Sequence, residues 1–516
     1  MSEMTKKSKI EVYNTHIEIS DYEFGDCTKL ENYFKVYEPV THSYYYLGIY
    51  YDEDTKTLYL PKGIDIWLVE KLLQEDAHVN VNSYYKYEVH DDIYIKYLPR
   101  DDVQKEALRF MLGKDEYRKT INDSQLSVNL FTGKGKTYIT IASLAYTGIR
   151  GIMITNSISW INQWKEKTLE YTDMKEKEIY IITGSIQIQK LLRMKEDKLK
   201  SIKFFLASHD TLQAYGNNHG WKAVGELFEY LKIGVKIFDE AHLNFGNMCM
   251  IDFFTNVYKT YYLTATPNKS NARENEIYQL YFRNVPAIDL FDEENDPHTH
   301  YNAISFNSRP TPVQMSSCAN KTYGLDRNKY TDYVVQQDNY KYLLVILMDI
   351  GLKATMKVGQ KFLIYIGTNK AIKITKKYIL EYFPFLEDDI GVYTSVVSKE
   401  EKEVALSKRV ILSTNKSAGA ATDIYGLKLT IVLAEPFRSE VIARQILGRT
   451  RDDNTMCIDI IDTGFAQCSR YYYAKLPVFR KYAKSVAMTK LSDTELRERF
   501  SSIVDNIKVP LMRKML

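Results

Sequence analysis

Two successive series of short apolar runs constrain this chain more than any single motif. The first lies between residues 96 and 290 and comprises "QLSVNLF", "GIMIT", "IYIIT", "KFFLAS", "VKIF" and "TYYLT". The second, over residues 321–465, comprises "KFLIYIG", "DIGVYT", "RVILST", "TIVLAE" and "MCIDIID". Stretches with helical apolar spacing, such as "TYITIASLAY" and "SWINQWKEKTLEY", separate the runs. Strand and helix in alternation close through right-handed crossovers, which predicts parallel sheets covered on both faces. The expected class is α/β, with two parallel-sheet lobes in tandem.

The flanking segments read differently. Residues 1–95 are Tyr-rich and punctuated by turn signals. "YYYLGIYY" and "KTLYL" read as strands joined by "DEDT", and "DIWLVEKLL" as a helix, predicting a small separate α+β domain. Residues 291–320 are polar and Pro-containing and read as a connector. Residues 466–516 read as a helical, basic tail. At 516 residues the chain exceeds a single core. No apolar run reaches the ~18 residues of a membrane span. The opening "MSEMTKKSKIEVYN" lacks a signal-peptide core, so a cytoplasmic protein is expected. With 69 Lys and Arg against 66 Asp and Glu, any basic track for nucleic acid must be local. Cys27, Cys249, Cys318, Cys457 and Cys468 form no CxxC pair, which favours reduced thiols over a zinc site.

"VNLFTGKGKTYIT" ends an apolar run and opens a helix. Glycines allow a tight turn whose N–H groups face an anion, and the helix adds its positive end. Thr132, Gly133, Lys134, Gly135, Lys136 and Thr137 are therefore expected to cradle ATP. Lys136 would sit on the β/γ-phosphates and Thr137 on Mg²⁺. About 100 residues later, "VKIFDEAH" brings two adjacent carboxylates to the carboxyl edge of a parallel sheet, where ligands bind in open α/β folds. A cation there would offset the charge of Asp239, making it a second metal residue. Glu240 would orient or deprotonate the attacking water. His242 would bond to a neighbouring strand end. A plain Gly-rich turn and an acidic helix cap are the alternatives for the two motifs taken singly.

In this order the motifs resemble those of the superfamily 2 helicases, in the DEAH/DExH group, across residues 100–465. The resemblance implies two RecA-like lobes. Within "LPRDDVQKEALRF", Gln104 would read the adenine. Asp101 and Val103 stand where relatives often carry Arg and an aromatic residue. "IMITNSISWINQW" and "LASHDTL" are similar to strand-contacting motifs, through Thr155, Asn156, Ser208 and Thr211. "LTATP" resembles the coupling motif, through Thr264 and Thr266. In the second lobe, "ILSTNKSAGAATDIYGL" would place Thr414 on a backbone phosphate and Asp423 on the ribose, with Ala421 in place of the usual Gly. "QILGRTR" supplies Gln445, Arg449 and Arg451, either arginine serving as the finger.

A closer resemblance is to the UvsW-like phage helicases. It implies an ATP-dependent DNA helicase acting on branched duplexes in replication and recombination. Single-stranded and branched DNA would be its partners, and the chain would be monomeric. RNA is the alternative substrate, and a motor subunit without unwinding of its own is a third reading. Two further features stay open. The Tyr44–Tyr46, Tyr50–Tyr51 and Tyr84–Tyr85 clusters read as core filler more than as a stacking surface. The stripe Arg470, Lys475, Arg480, Lys481 and Lys484 suits a solvated face and a nucleic-acid track equally.

Overall fold

The structure is a computed structural model. It describes residues 8–38, 41–81, 83–114, 120, 123–130, 135–264, 271–290, 299–320, 324–418, 424–449 and 455–515. The chain divides into two compact units, residues 1–293 and 294–516.

Unit one carries a seven-stranded sheet. Its order is Ile179–Ile182, Phe204–Ser208, Gly151–Thr155, Val235–Phe238, Lys259–Thr264, Gln125–Leu130 and Ala287–Leu290, and every pairing is parallel. Helices cover both faces, so the central strands have no solvent face. Gln125–Leu130, Gly151–Thr155 and Val235–Phe238 are buried at every position. This is why they read as continuous apolar runs without period-two alternation.

Residues 1–95 form the expected small α+β domain, and its core is continuous with that of this lobe. Their five-stranded sheet runs Tyr50–Asp52, Thr57–Pro61, His16–Ser20, Lys9–Val12 and Ala77–Val79. The expected hairpin around "DEDT" is present. "YYYLGIYY" is two strands, because the chain turns at Gly48, φ 80°, and Ser43–Tyr46 pairs instead with Lys35–Glu38. "DIWLVEKLL" gives the helix Ile66–Leu73, capped by Asp65. Ile17, Leu58 and Val69 share one core with Phe228, Phe254 and Ile277 of the lobe. The Tyr59 and Phe254 rings lie 4.8 Å apart. Asn14 accepts from Ser124 and donates to the Val257 carbonyl at 3.2 Å. Gly63 lies so close to the helix Ala272–Phe282 that a Cβ there would stand 1.9 Å from the Tyr281 oxygen. Tyr45, Tyr46, Tyr50, Tyr51 and Tyr85 pack against this core, whereas Tyr44 is exposed.

Unit two carries a second seven-stranded, wholly parallel sheet. Its order is Ile390–Tyr393, Val410–Ser413, Lys361–Ile366, Leu427–Ala434, Thr455–Asp462, Thr299–Phe306 and Ser485–Lys490. Two of these strands lie in segments expected to be connector and helical tail. Thr299–Phe306 crosses the 291–320 connector and pairs along its whole length with Thr455–Asp462. Its polar side chains hid it, and they are satisfied laterally. Thr299 bonds Thr455 at 3.0 Å, His300 bonds Ser485 at 2.7 Å, and Asn302 accepts from Thr489 at 3.3 Å. Beyond residue 466 the helices Ala466–Tyr482 and Asp493–Met515 flank the edge strand Ser485–Lys490. Lys475 does not belong to an exposed stripe: it is buried, 2.6 Å from Asp459, with Phe437 beneath its ammonium. Arg470, Arg480, Lys481 and Lys484 are exposed.

Among the described residues no helix is long and apolar enough to cross a membrane. Among the described residues none of the five cysteines forms a disulfide, and four are buried.

Candidate functional site

The carboxyl ends of three adjacent strands assemble the site in unit one. Gln125–Leu130 leads toward the helix Lys136–Thr147, Val235–Phe238 leads to Asp239, and Lys259–Thr264 ends on Thr264. Thr132, Gly133 and Lys134 lie outside the described residues. Gly135 caps the helix at φ 90°, in the left-handed region that favours glycine. Gln104 packs directly over it, and a Cβ at 135 would stand 2.2 Å from Gln104 Nε2. The Gln104 amide is held by its surroundings. Its Oε1 accepts from the Arg100 N–H at 3.0 Å, and its own N–H is capped by Asp101 at 2.8 Å. Asp101 therefore works here as a helix cap. The structure thus brings Gln104 and Gly135 together.

Lys136 Nζ lies 3.1 Å from Glu240 Oε1 and 3.3 Å from the Leu130 carbonyl. Glu240 Oε2 lies 3.4 Å from His242 Nδ1, which bonds Thr264 Oγ1 at 2.9 Å. One chain of polar contacts thus runs from the lysine through Glu240 and His242 to Thr264, the first threonine of "LTATP". Glu240 sits at φ 48°, uncommon for a side chain of its size, at the turn that aims its carboxylate back at Lys136. Thr266 lies outside the described residues.

Asp239 faces the other way. Its N–H donates to the Ile154 carbonyl at 3.0 Å, and its Oδ2 accepts from Trp164 Nε1 at 2.8 Å. Burial first, and then the neighbouring Glu240 charge, push its pKa up to about 6, against the opposing pull of Lys136 and the Trp164 bond. A carboxylate so short of positive charge suits a hard divalent cation, which would restore its ionised form. Asp239 and Thr137 are the residues that could hold one. Among the described residues no group of three or more His, Cys, Asp or Glu could hold a metal alone. The remaining ligands would thus be water and substrate oxygens, as Mg²⁺ prefers. Trp164 was not singled out from the sequence. Its place in "SWINQWKEKTLEY" marks it only as an apolar position of a helix.

Asn156, Ser208 and Thr211 line a common groove of about 410 Å³ with Ser157, Gly184 and Tyr215. Ser208 caps the helix His209–His219 and bonds Thr211 Oγ1 at 2.7 Å, so both hydroxyls already have partners. Asn156 Oδ1 accepts from Asn244 at 2.6 Å, tying the groove to the segment after His242. Thr155 does not reach the groove: its side chain is wholly buried within the strand Gly151–Thr155.

In unit two, Thr414 caps a short helix through Ser417, at 3.3 Å from its N–H. Gln445 lies on the helix Glu440–Leu447, and Arg449 follows it, largely buried and close to Tyr365. Asp423 and Arg451 lie outside the described residues.

Residues 98–269, a third of the chain, match the family described as "Type III restriction enzyme, res subunit". No curated protein matches the chain. Solved structures do. Mss116p bound to ssRNA and AMP-PNP is 13% identical, over 78% of this chain and 77% of that one, with a TM-score of 0.51. A single-residue variant of S. cerevisiae Dbp5, bound to RNA and ADP BeF3, is 14% identical over 78% and 93%, at 0.50. T4 UvsW is 12% identical over 94% and 99%, at 0.35. The two parallel sheets have the fold of Mss116p and the Dbp5 variant, and the first lobe matches the res-subunit family.

Proposed function

We propose that this chain hydrolyses ATP to drive movement along a nucleic-acid strand, and that its substrate is branched DNA. The observation that carries the reading is the Lys136–Glu240–His242–Thr264 chain of contacts beside Asp239. Lys136 rests on Glu240. ATP would draw Lys136 onto its β/γ-phosphates and free Glu240 to take a proton from the attacking water. Mg²⁺, held through Asp239 and Thr137, would neutralise phosphate charge. Thr132, Gly133, Lys134 and Gly135 would supply main-chain N–H groups, and Gln104 the adenine contact. Gln445, Arg449 and Arg451 would act at the transferring phosphoryl group, Asp423 at the ribose, and Thr266 with Thr264 in coupling. An arginine at that phosphoryl group is worth on the order of 10³–10⁵ in rate.

The groove residues Asn156, Ser208 and Thr211, with Thr414, would hold backbone phosphates, which sets register without reading sequence. Thr155 would act through its main chain. DNA follows from the UvsW-like motif resemblance. RNA is the second reading, favoured by the RNA-bound state of Mss116p and the Dbp5 variant. The test is ATPase rate with single-stranded, forked and four-way DNA and with matched RNA. Strongest stimulation by forked or four-way DNA is expected, and stimulation by RNA alone would overturn the DNA reading.

A further inference from the structure

One cavity in unit one lies away from the ATP site, at the opposite edge of the same sheet. It occupies about 670 Å³ where the amino ends of Gln125–Leu130, Lys259–Thr264 and Ala287–Leu290 face the N-terminal sheet. Five charged residues line it: Lys62, Lys114 and Lys259 against Asp65 and Asp123. Asp65 is engaged as the cap of Ile66–Leu73, bonded to the Trp67 N–H at 3.2 Å.

The lysines are poorly compensated. Lys62 donates to Ser124 Oγ at 2.7 Å, and Lys259 to the Asp123 carbonyl. Lys114 donates to Thr120 Oγ1 at 2.8 Å. All three acceptors are neutral, and among the described residues none of the three lysines forms an ion pair. Burial lowers the pKa of both Lys62 and Lys259, and each is raised again by Asp123, while Lys259 lowers Lys62 further. Paired ammonium groups drawn from water without a bonded carboxylate favour an incoming anion.

The rest of the wall narrows the ligand. Val12, Ile17 and Ile64 are apolar. Tyr84 and Tyr258 also line the space, their rings 5.1 Å apart, and Tyr87 stacks behind Tyr258 at 5.4 Å. An inorganic anion would leave most of this volume and all of the aromatic surface unused. A flat base carrying a phosphate uses both.

We propose that this cavity is a second nucleotide site, in which Lys62 and Lys259 hold a phosphate and Tyr84 and Tyr258 contact the base. The same unit comes as a free nucleoside monophosphate or as the terminal nucleotide of a strand. The site is independent of the ATP-site reading, and its test uses full-length chain carrying Lys136→Ala to silence that pocket. Two photoprobes are compared: 8-azido-AMP, and an oligonucleotide with the same base at its 5′-phosphorylated end. Crosslinks mapping to the peptides of Tyr84 or Tyr258 with either probe are expected, and the labelling probe identifies the source. Lys62→Ala with Lys259→Ala should cut that labelling at least tenfold, and the double Arg replacement should retain it. Absence of label on both peptides with both probes overturns the proposal. So does labelling that is undiminished in the Ala pair. Should the Ala pair fail to fold, mapping in the Lys136→Ala chain alone decides.

Discussion

At the scale of single residues, Asp239 carries a charge cost that Lys136 and Trp164 offset only in part. Its pKa stands at about 6 in the fold, against about 3.9 for an ordinary aspartate. Between those values the folded chain binds more protons than the unfolded chain, so stability falls as pH rises through the window and is not regained above it. Asp239→Asn removes the penalty. The variant should match the wild type near pH 4 and exceed it at pH 7 by on the order of 1–3 kcal/mol, read from melting curves at the two pH values. Its ATPase activity should be lost. A melting difference that does not grow with pH would remove the strain assigned to this carboxylate. Lys136 and Glu240 separate in a complementary way. Lys136→Ala removes the ammonium beside the buried Glu240 carboxylate and should cost about 1–3 kcal/mol as well as turnover. Glu240→Gln keeps a neutral acceptor for Lys136, so it should melt near the wild type while turnover falls. Equal turnover in wild type and Glu240→Gln would exclude Glu240 as the base.

Among elements, the helix Ile158–Tyr171 does more than cover a sheet face. It begins at the Ser157 cap beside the strand groove and carries Trp164 to Asp239 two turns later. Trp164→Phe keeps the packing and deletes one donor to the carboxylate. The Asp239 pKa should then rise further, moving the acid limb of the ATPase pH profile upward with little change in melting temperature. An unshifted limb would reduce Trp164 to a packing residue. This helix also marks what the sequence could and could not disclose. Its existence was legible, because the apolar spacing of "SWINQWKEKTLEY" has the helical period. So were the strands delivering Asp239 and Lys136, because parallel strands buried on both faces leave uninterrupted apolar runs. The role of Trp164 was not, since a buried indole looks alike whether its N–H meets a carboxylate or a backbone carbonyl. Thr155 shows the same blind spot from the other side: its motif position suggests a strand contact, and the pleat turns its side chain inward. Thr299–Phe306 was missed because its polar residues bond sideways to neighbouring strands, a pairing no local pattern encodes.

For the whole molecule, the decisive contact is between residues 1–95 and the first lobe, which their Tyr-rich composition presents as a separate domain. The core is continuous across that junction. Ile17, Leu58, Leu60 and Val69 are fully buried within it, as are Phe228 and Ile277 on the lobe side. Polar contacts cross it too: Gln125 Nε2 donates to the Thr15 carbonyl at 3.0 Å, and Arg273 Nη2 donates to the Asn32 carbonyl at 2.7 Å. Removing the segment would expose apolar surface at about 25 cal/mol per Å² and strand buried polar groups along the seam. A chain beginning at residue 96 should therefore aggregate or melt well below the full-length protein, and should not behave as a leaner motor. Gly63→Ala tests the same junction without deletion. Its Cβ would meet the Tyr281 carbonyl at 1.9 Å, which only a shift of the N-terminal sheet against the helix Ala272–Phe282 can relieve. The expected result is a cooperative loss of stability, about 1–3 kcal/mol, seen by probes in both parts at one midpoint. Two separate transitions, with the lobe unaffected, would show that the N-terminal sheet is an appendage after all.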